Sequence, residues 1–158
     1  MAEDAGAHGG AVISPESVYT AAWVRLKCRY GCGGYESNLM CPPHSPEPAE
    51  TREALDCYTT AVLVHVRGSA RMRDLVPDLE REAFLAGYYK AFGFASGPCE
   101  LCAECALDEG CRHPRRARPS MESCGIDVFR TVREAGFPIE VVTDRDQVPN
   151  FYGLLLLE

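Results

Sequence analysis

The chain reads as an α+β (or α/β) domain: a small mixed sheet with packed helices and two cysteine-rich loops. Three observations predict this. Short β-branched runs are interspersed with stretches of helical periodicity, the pattern of a sheet covered by separate helices. Hydrophobic residues make up 46% of the 158 positions, enough to build one core. Of nine cysteines, Cys28, Cys32 and Cys41 fall in one burst and Cys99, Cys102, Cys105 and Cys111 in another, each in a loop punctuated by Gly and Pro.

Taken in order, residues 1–11 are acidic and rich in small side chains and read as a flexible tail, leaving a single domain over 12–158. Ser14-Pro15-Glu16 is a helix start, with Ser14 as the cap and Pro15 in the first turn, where its missing N–H is not needed. Val24-Arg25-Leu26-Lys27-Cys28 alternates and reads as a strand feeding the first cysteine loop. Residues 41–46, Cys-Pro-Pro-His-Ser-Pro, exclude helix. A short helix is expected over 51–58, with Glu47, Glu50 and Glu53 near its positive end.

Residues 61–66, Ala-Val-Leu-Val-His-Val, form the strongest strand signal. Met72, Leu75, Val76, Leu79 and Ala83 recur at helical steps, and Phe84, Tyr88 and Phe92 add a second stripe. They predict a helix over 72–92, started or kinked by Pro77. Residues 127–135 predict another helix, stopped by Gly136. Residues 139–142 and 152–157 read as two further strands around a polar turn at 144–150. No repeat of fixed period is present.

Net charge is −7, which disfavours a broad basic face for nucleic acid. No apolar run reaches the length of a membrane span, and the start lacks the basic and apolar segments of a secretory signal. A cytoplasmic location is the expectation. There thiols stay reduced, and clustered cysteines read as metal ligands rather than as a disulfide framework, which the odd count also disfavours.

Cys99-x2-Cys102-x2-Cys105 supplies three thiols at equal spacing, with Cys111 following. Zinc sites usually combine C-x2-C pairs from two knuckles, whereas three thiols in one turn suit three irons of a [4Fe–4S] cube, with the fourth ligand close by. Thiolate is soft and anionic, the donor such iron needs. Leu101, Ala103, Ala106 and Leu107 would wall the cluster with apolar groups. Cys28-x3-Cys32-x8-Cys41-Pro42 offers three more ligands and leaves one position open to Cys57, Cys124, His44 or an outside molecule. Zinc remains the alternative metal for either loop.

Arg112, His113, Arg115, Arg116 and Arg118 form a basic run beside Cys111. It suits a small anionic ligand or an acidic redox protein partner, or else offsets the charge of a thiolate centre. Ser120 or Ser123 reads as a cap for the following turn. Cys124 reads as a buried or ligating thiol rather than a nucleophile. His65 belongs to a strand, and Trp23, Tyr88 and Tyr89 read as packing. No P-loop, dinucleotide fingerprint or serine-hydrolase elbow is present.

Longer motifs carry a resemblance. Lys27-Cys28-Arg29-Tyr30-Gly31-Cys32 and Cys41-Pro42-Pro43-His44-Ser45-Pro46 resemble the opening of the DUF2284 family of predicted metal-binding proteins. Later matching stretches include Gly87-Tyr88-Tyr89-Lys90-Ala91-Phe92, Gly97-Pro98-Cys99, Gly110-Cys111-Arg112-His113-Pro114 and Arg118-Pro119-Ser120-Met121-Glu122. The likeness runs over about 24–158 and includes all seven cysteines of the two bursts. It implies metal binding, with iron–sulfur chemistry and no settled reaction.

The sequence reading is therefore a metal-binding protein with one or two [4Fe–4S] clusters, acting in electron transfer or as accessory to a redox or cofactor-handling enzyme. Its ligands are Cys99, Cys102, Cys105 and Cys111 for one centre and Cys28, Cys32 and Cys41, with Cys124 as a further ligand, for the other. The alternatives are a zinc-binding structural or interaction module and an enzyme that uses an open-site iron as Lewis acid.

Overall fold

A computed structural model describes residues 7–68 and 72–158. Its centre is a sheet of four antiparallel strands in the order β1-β2-β4-β3, comprising β1 (Gly9–Ile13), β2 (Ala61–Arg67), β3 (Phe92–Phe94) and β4 (Asn150–Leu156). Four α-helices join them: α1 (Ala22–Gly31), α2 (Pro48–Leu55), α3 (Met72–Leu85) and α4 (Val128–Glu134). The chain thus has the expected α+β organisation, with antiparallel pairing throughout the sheet.

Successive side chains of a strand point to opposite faces, so the two central strands divide the core in two. Ala61 and Leu63 of β2, with Tyr152, Leu154 and Leu156 of β4, face one layer, which Leu55, Met121, Ile126 and Val132 complete. Val64, Val66 and Leu155 face the other, where Met72, Leu75, Val76 and Leu79 of α3 cover them. β2 is buried on both faces, and this explains its continuous apolar run rather than a strict alternation. The helix lies close on the sheet because glycine leaves room. A Cβ on Gly153 would stand 2.7 Å from Met72 Sδ and 2.8 Å from Val76 Cγ2.

Several expectations are corrected. The supposed tail over 1–11 ends too late. Gly9 to Ala11 already belong to β1, paired with Leu63 to His65, and the His8 N–H donates to the His65 carbonyl (2.8 Å). Residues 1–6 lie outside the described part. Residues 24–28 are helix rather than strand. Five alternating residues fit either period, and helix α1 places Val24 and Cys28, four residues apart, on one face. The helix expected over 51–58 starts earlier, at Pro48, under a capping box formed by Glu47 and Glu50.

The helix expected over 72–92 stops at Leu85. Gly87 adopts a positive φ of 108°, and the Tyr88 N–H closes back on the Ala83 carbonyl (3.1 Å). Phe84 is left exposed and Phe92 opens β3. Residues 139–142 form no strand, and Glu140, Val141 and Val142 are exposed rather than packed on the sheet. Only Ile139 of that stretch is buried. The Ser14 cap, a helix within 127–135 and the C-terminal strand occur as expected, and Asp127 caps that helix. No helix among the described residues is long and apolar enough to cross a membrane.

Candidate metal centre

The second cysteine loop is clamped where it leaves and rejoins the body. The Ala95 N–H donates to the Pro119 carbonyl (2.8 Å), and the Met121 N–H to the Ala95 carbonyl (3.0 Å). Between these clamps the chain makes turns and bends with no helix or strand. Cys99, Cys102, Cys105 and Cys111 all line one small cavity under this loop, closed on the far side by Asn38, Leu39 and Met40 of the first loop. The cavity holds about 20 Å³, a water-sized space. Two of its sulfurs accept from backbone: the Leu39 N–H points to Cys105 Sγ (3.5 Å) and the His113 N–H to Cys111 Sγ (3.4 Å). Such donors orient a ligand sulfur.

Cys28, Cys32 and Cys41 are also brought together. Cys28 lies in the last turn of α1, and Cys32 is the residue that ends it. Tight turns then return the chain, and a Cβ on Gly34 would stand 3.4 Å from Cys32 Sγ and 3.6 Å from Cys41 Sγ. The Asn38 side-chain amide donates to Cys41 Sγ (3.3 Å) and the Gly34 N–H to Cys32 Sγ (3.4 Å). Burial pushes the thiols of Cys28 and Cys41 up; for Cys41 the Asn38 hydrogen bond opposes it. Without a cation these thiols keep their protons, so metal uptake there releases them.

The two cysteine sets differ in access. The three-thiol set opens into a groove of about 630 Å³ that runs between α1, the start of α4 and the 139–142 segment. Trp23, Val128, Phe129 and Phe151 make much of its wall. Glu122, on a short 3-10 turn over Glu122–Cys124, also lines it. Its Oε2 is shut from solvent and has no hydrogen-bond partner among the described residues. Burial pushes this carboxyl up.

Some expected ligands stand apart. Cys124 is fully buried in the apolar core and lines neither cavity. Burial holds its thiol up to about 12. Cys57 and His44 are exposed and lie outside both cavities. His65 is a buried strand residue stacked on Tyr152 and bonded through Nε2 to Asn150 Oδ1 (2.8 Å). The basic run is largely engaged within the fold. Arg116 pairs with Asp74 and Asp78, Arg112 with Glu109 and Arg118 with Glu80.

Three residues of the site were missed by sequence reasoning. Trp23 reads as packing in the sequence, yet it is 47% exposed on the groove wall. Glu122 was only a motif position. Asn38, three residues before Cys41, carried a signal: its Oδ1 accepts from the Met40 N–H (2.9 Å), an Asx turn that aims the amide at sulfur.

No three His, Cys, Asp or Glu side chains among the described residues stand close enough to hold a single metal ion. A tetrahedral zinc site, with Zn–S near 2.3 Å, needs its sulfurs about 3.8 Å apart. A cube spreads four thiolates over four irons and needs them farther apart. Four thiols around one cavity, two of them under N–H donors, are a soft donor set suited to a thiophilic metal.

A family model described as a predicted metal-binding protein (DUF2284) matches residues 11–157. No curated protein and no solved structure matches the chain.

Proposed function

The chain belongs to the DUF2284 family of predicted metal-binding proteins, and on that premise we propose that it is an iron–sulfur protein with two unlike centres. Cys99, Cys102, Cys105 and Cys111 hold a [4Fe–4S] cluster. Cys28, Cys32 and Cys41 hold a second centre with one position not supplied by these thiols. The observation that carries this reading is the convergence of four thiols from one loop on a single cavity, two of them under backbone N–H donors. A bound cluster would supply one-electron chemistry or Lewis acidity.

The four-thiol centre suits electron transfer or an accessory role beside a redox or cofactor-handling enzyme. The small size of its cavity means that the turn-rich loop rearranges as the cluster enters, so binding and ordering are coupled. Arg112 and His113 line this cavity and would offset its charge or meet an acidic redox partner. A second reading, an enzyme that binds substrate at an open iron, is favoured by the groove that reaches the three-thiol set.

The test is anaerobic purification with iron, sulfide and zinc analysis. Brown protein with iron and sulfide in equal amounts, bleaching on reduction, is expected. A colourless preparation loaded with zinc would replace the iron reading with that of a zinc module.

A further inference from the structure

Cys28, Cys32 and Cys41 all lie on one stretch of chain, between Arg25 and Pro46. Beyond Gly31, the end of α1, this stretch contains only turns and bends, so its ends must be held for three thiols to meet. The Arg25 side chain holds them. From α1 its guanidinium donates to the Pro46 carbonyl (2.5 Å), 21 residues on, and through a second nitrogen to the Ser123 carbonyl (2.7 Å). The same Ser123 carbonyl accepts from Ser45 Oγ (2.5 Å), so the two ends of the loop meet at one oxygen. That oxygen belongs to a fixed base: Ser123 and Cys124 are buried, and the Cys124 carbonyl accepts from Thr51 Oγ1 of α2 (2.7 Å). Only 14% of the Arg25 side chain is exposed, against 58% for its ion-pair partner Glu47. A pair with so exposed a partner contributes little, and the two carbonyl bonds carry the closure.

We propose that Arg25 is a positioning residue of the three-thiol centre: by clasping α1 to Pro46 and Ser123 it closes the loop that carries the ligands, and so sets how tightly that centre holds its metal. This role rests on the reading of Cys28, Cys32 and Cys41 as ligands and is the same whichever metal they hold. Gathering three thiols from an unclosed loop costs chain entropy when the metal binds, whereas a loop closed on folding has already lost that freedom. Arginine suits the task because its planar fork reaches two carbonyls at once, which the point charge of a lysine does not. The four-thiol loop has a separate closure, through the backbone bonds of Ala95 with Pro119 and Met121, and does not depend on Arg25.

The test is the rate of metal release to a chromogenic chelator from anaerobically purified wild type, Arg25→Met, Arg25→Lys and Ser45→Ala. Cys32→Ser and Cys102→Ser identify which part of the metal belongs to each set. Arg25→Met should release the metal of the three-thiol set about tenfold or more faster, the worth of one hydrogen bond to a charged group, and that of the four-thiol set at the wild-type rate. Arg25→Lys should lie between wild type and Arg25→Met. Ser45→Ala should have the smallest effect, because Arg25 still holds both carbonyls. Wild-type release from the three-thiol set in Arg25→Met overturns the proposal, and so does equal acceleration from both sets, which marks a general loosening of the fold. If Arg25→Met does not fold, Arg25→Lys decides: release at the wild-type rate means that the charge suffices without the clasp, and the proposal fails. Unchanged metal content in Cys32→Ser overturns the three-thiol centre itself, which tells that failure apart from a failure of Arg25 alone.

Discussion

The Arg118–Glu80 pair fastens the second cysteine loop to α3, and removing its cation should be costly. Arg118 Nε donates to Glu80 Oε2 (2.6 Å), and a second guanidinium nitrogen bonds the other carboxylate oxygen. The side chains are only 15% and 14% exposed. The same guanidinium donates to the carbonyls of Ala117 (2.7 Å) and Pro114 (3.1 Å), just after Cys111. Arg118→Met keeps much of the apolar stem but leaves the Glu80 carboxylate enclosed, with the Gly93 N–H (2.8 Å) as its remaining donor. Breaking a buried pair costs about 3–5 kcal/mol, and the surviving Gly93 bond places this case near the lower end, about 3 kcal/mol. For a chain of this length that is a fall in melting temperature of roughly 6–12 °C. In Arg118→Met/Glu80→Gln the amide still accepts from Gly93 and no charge is orphaned, so the loss should shrink to about 1 kcal/mol. Denaturant unfolding at low and high salt is the assay, and added salt should change the wild-type advantage little, because an enclosed pair is poorly screened. A cost below about 1 kcal/mol for Arg118→Met, or a double variant as unstable as the single, would refute the reasoning.

Further outcomes follow from the same geometry. Cys102→Ser should remove the metal of the four-thiol cavity while leaving that of Cys28, Cys32 and Cys41, as read by iron content and electron spin resonance; unchanged iron would reject the ligand assignment. Gly153→Ala should destabilise by about 1–3 kcal/mol, because the new methyl meets Met72 and Val76 and also the Phe94 backbone oxygen at 3.0 Å; a neutral result would show that α3 shifts freely on the sheet. The Cys124 thiol is held up to about 12 from 9.0 by burial. Its folded form resists losing a proton that the unfolded chain gives up, so its stabilisation is fully present below pH 9 and is lost as pH rises toward 12. Near pH 10 the loss is about 1.4 kcal/mol, and Cys124→Ala should show a shallower decline between pH 8 and 10 in chemical unfolding. Parallel declines in the two proteins would mean that Cys124 does not titrate on unfolding.

The elements legible in the sequence are those whose signal is local. The apolar run of β2, the periodicity of α4 and its stop at Gly136, and the prolines that bar helix at 41–46 all act within a few residues. The cysteine spacing is local in the same way. Short loops bring Cys99, Cys102, Cys105 and Cys111 to one cavity with little chain to order. Where local signals were short or balanced, the fold overrode them. The alternation at 24–28 lay within one helix, and the apolar stretch at 139–142 left Val141 and Val142 exposed outside the sheet.

The chain's own composition thus determined that thiols gather in two sets and that a mixed helical and stranded core surrounds them. Only the tertiary structure decided that the sets differ, one around a water-sized cavity and one open to a groove, and that Trp23, Asn38 and Glu122 join them. Those three residues reach the site through contacts between segments distant in sequence, or through a turn whose direction depends on its neighbours. Burial and the absence of a partner are properties of such contacts, and no spacing along the chain encodes them.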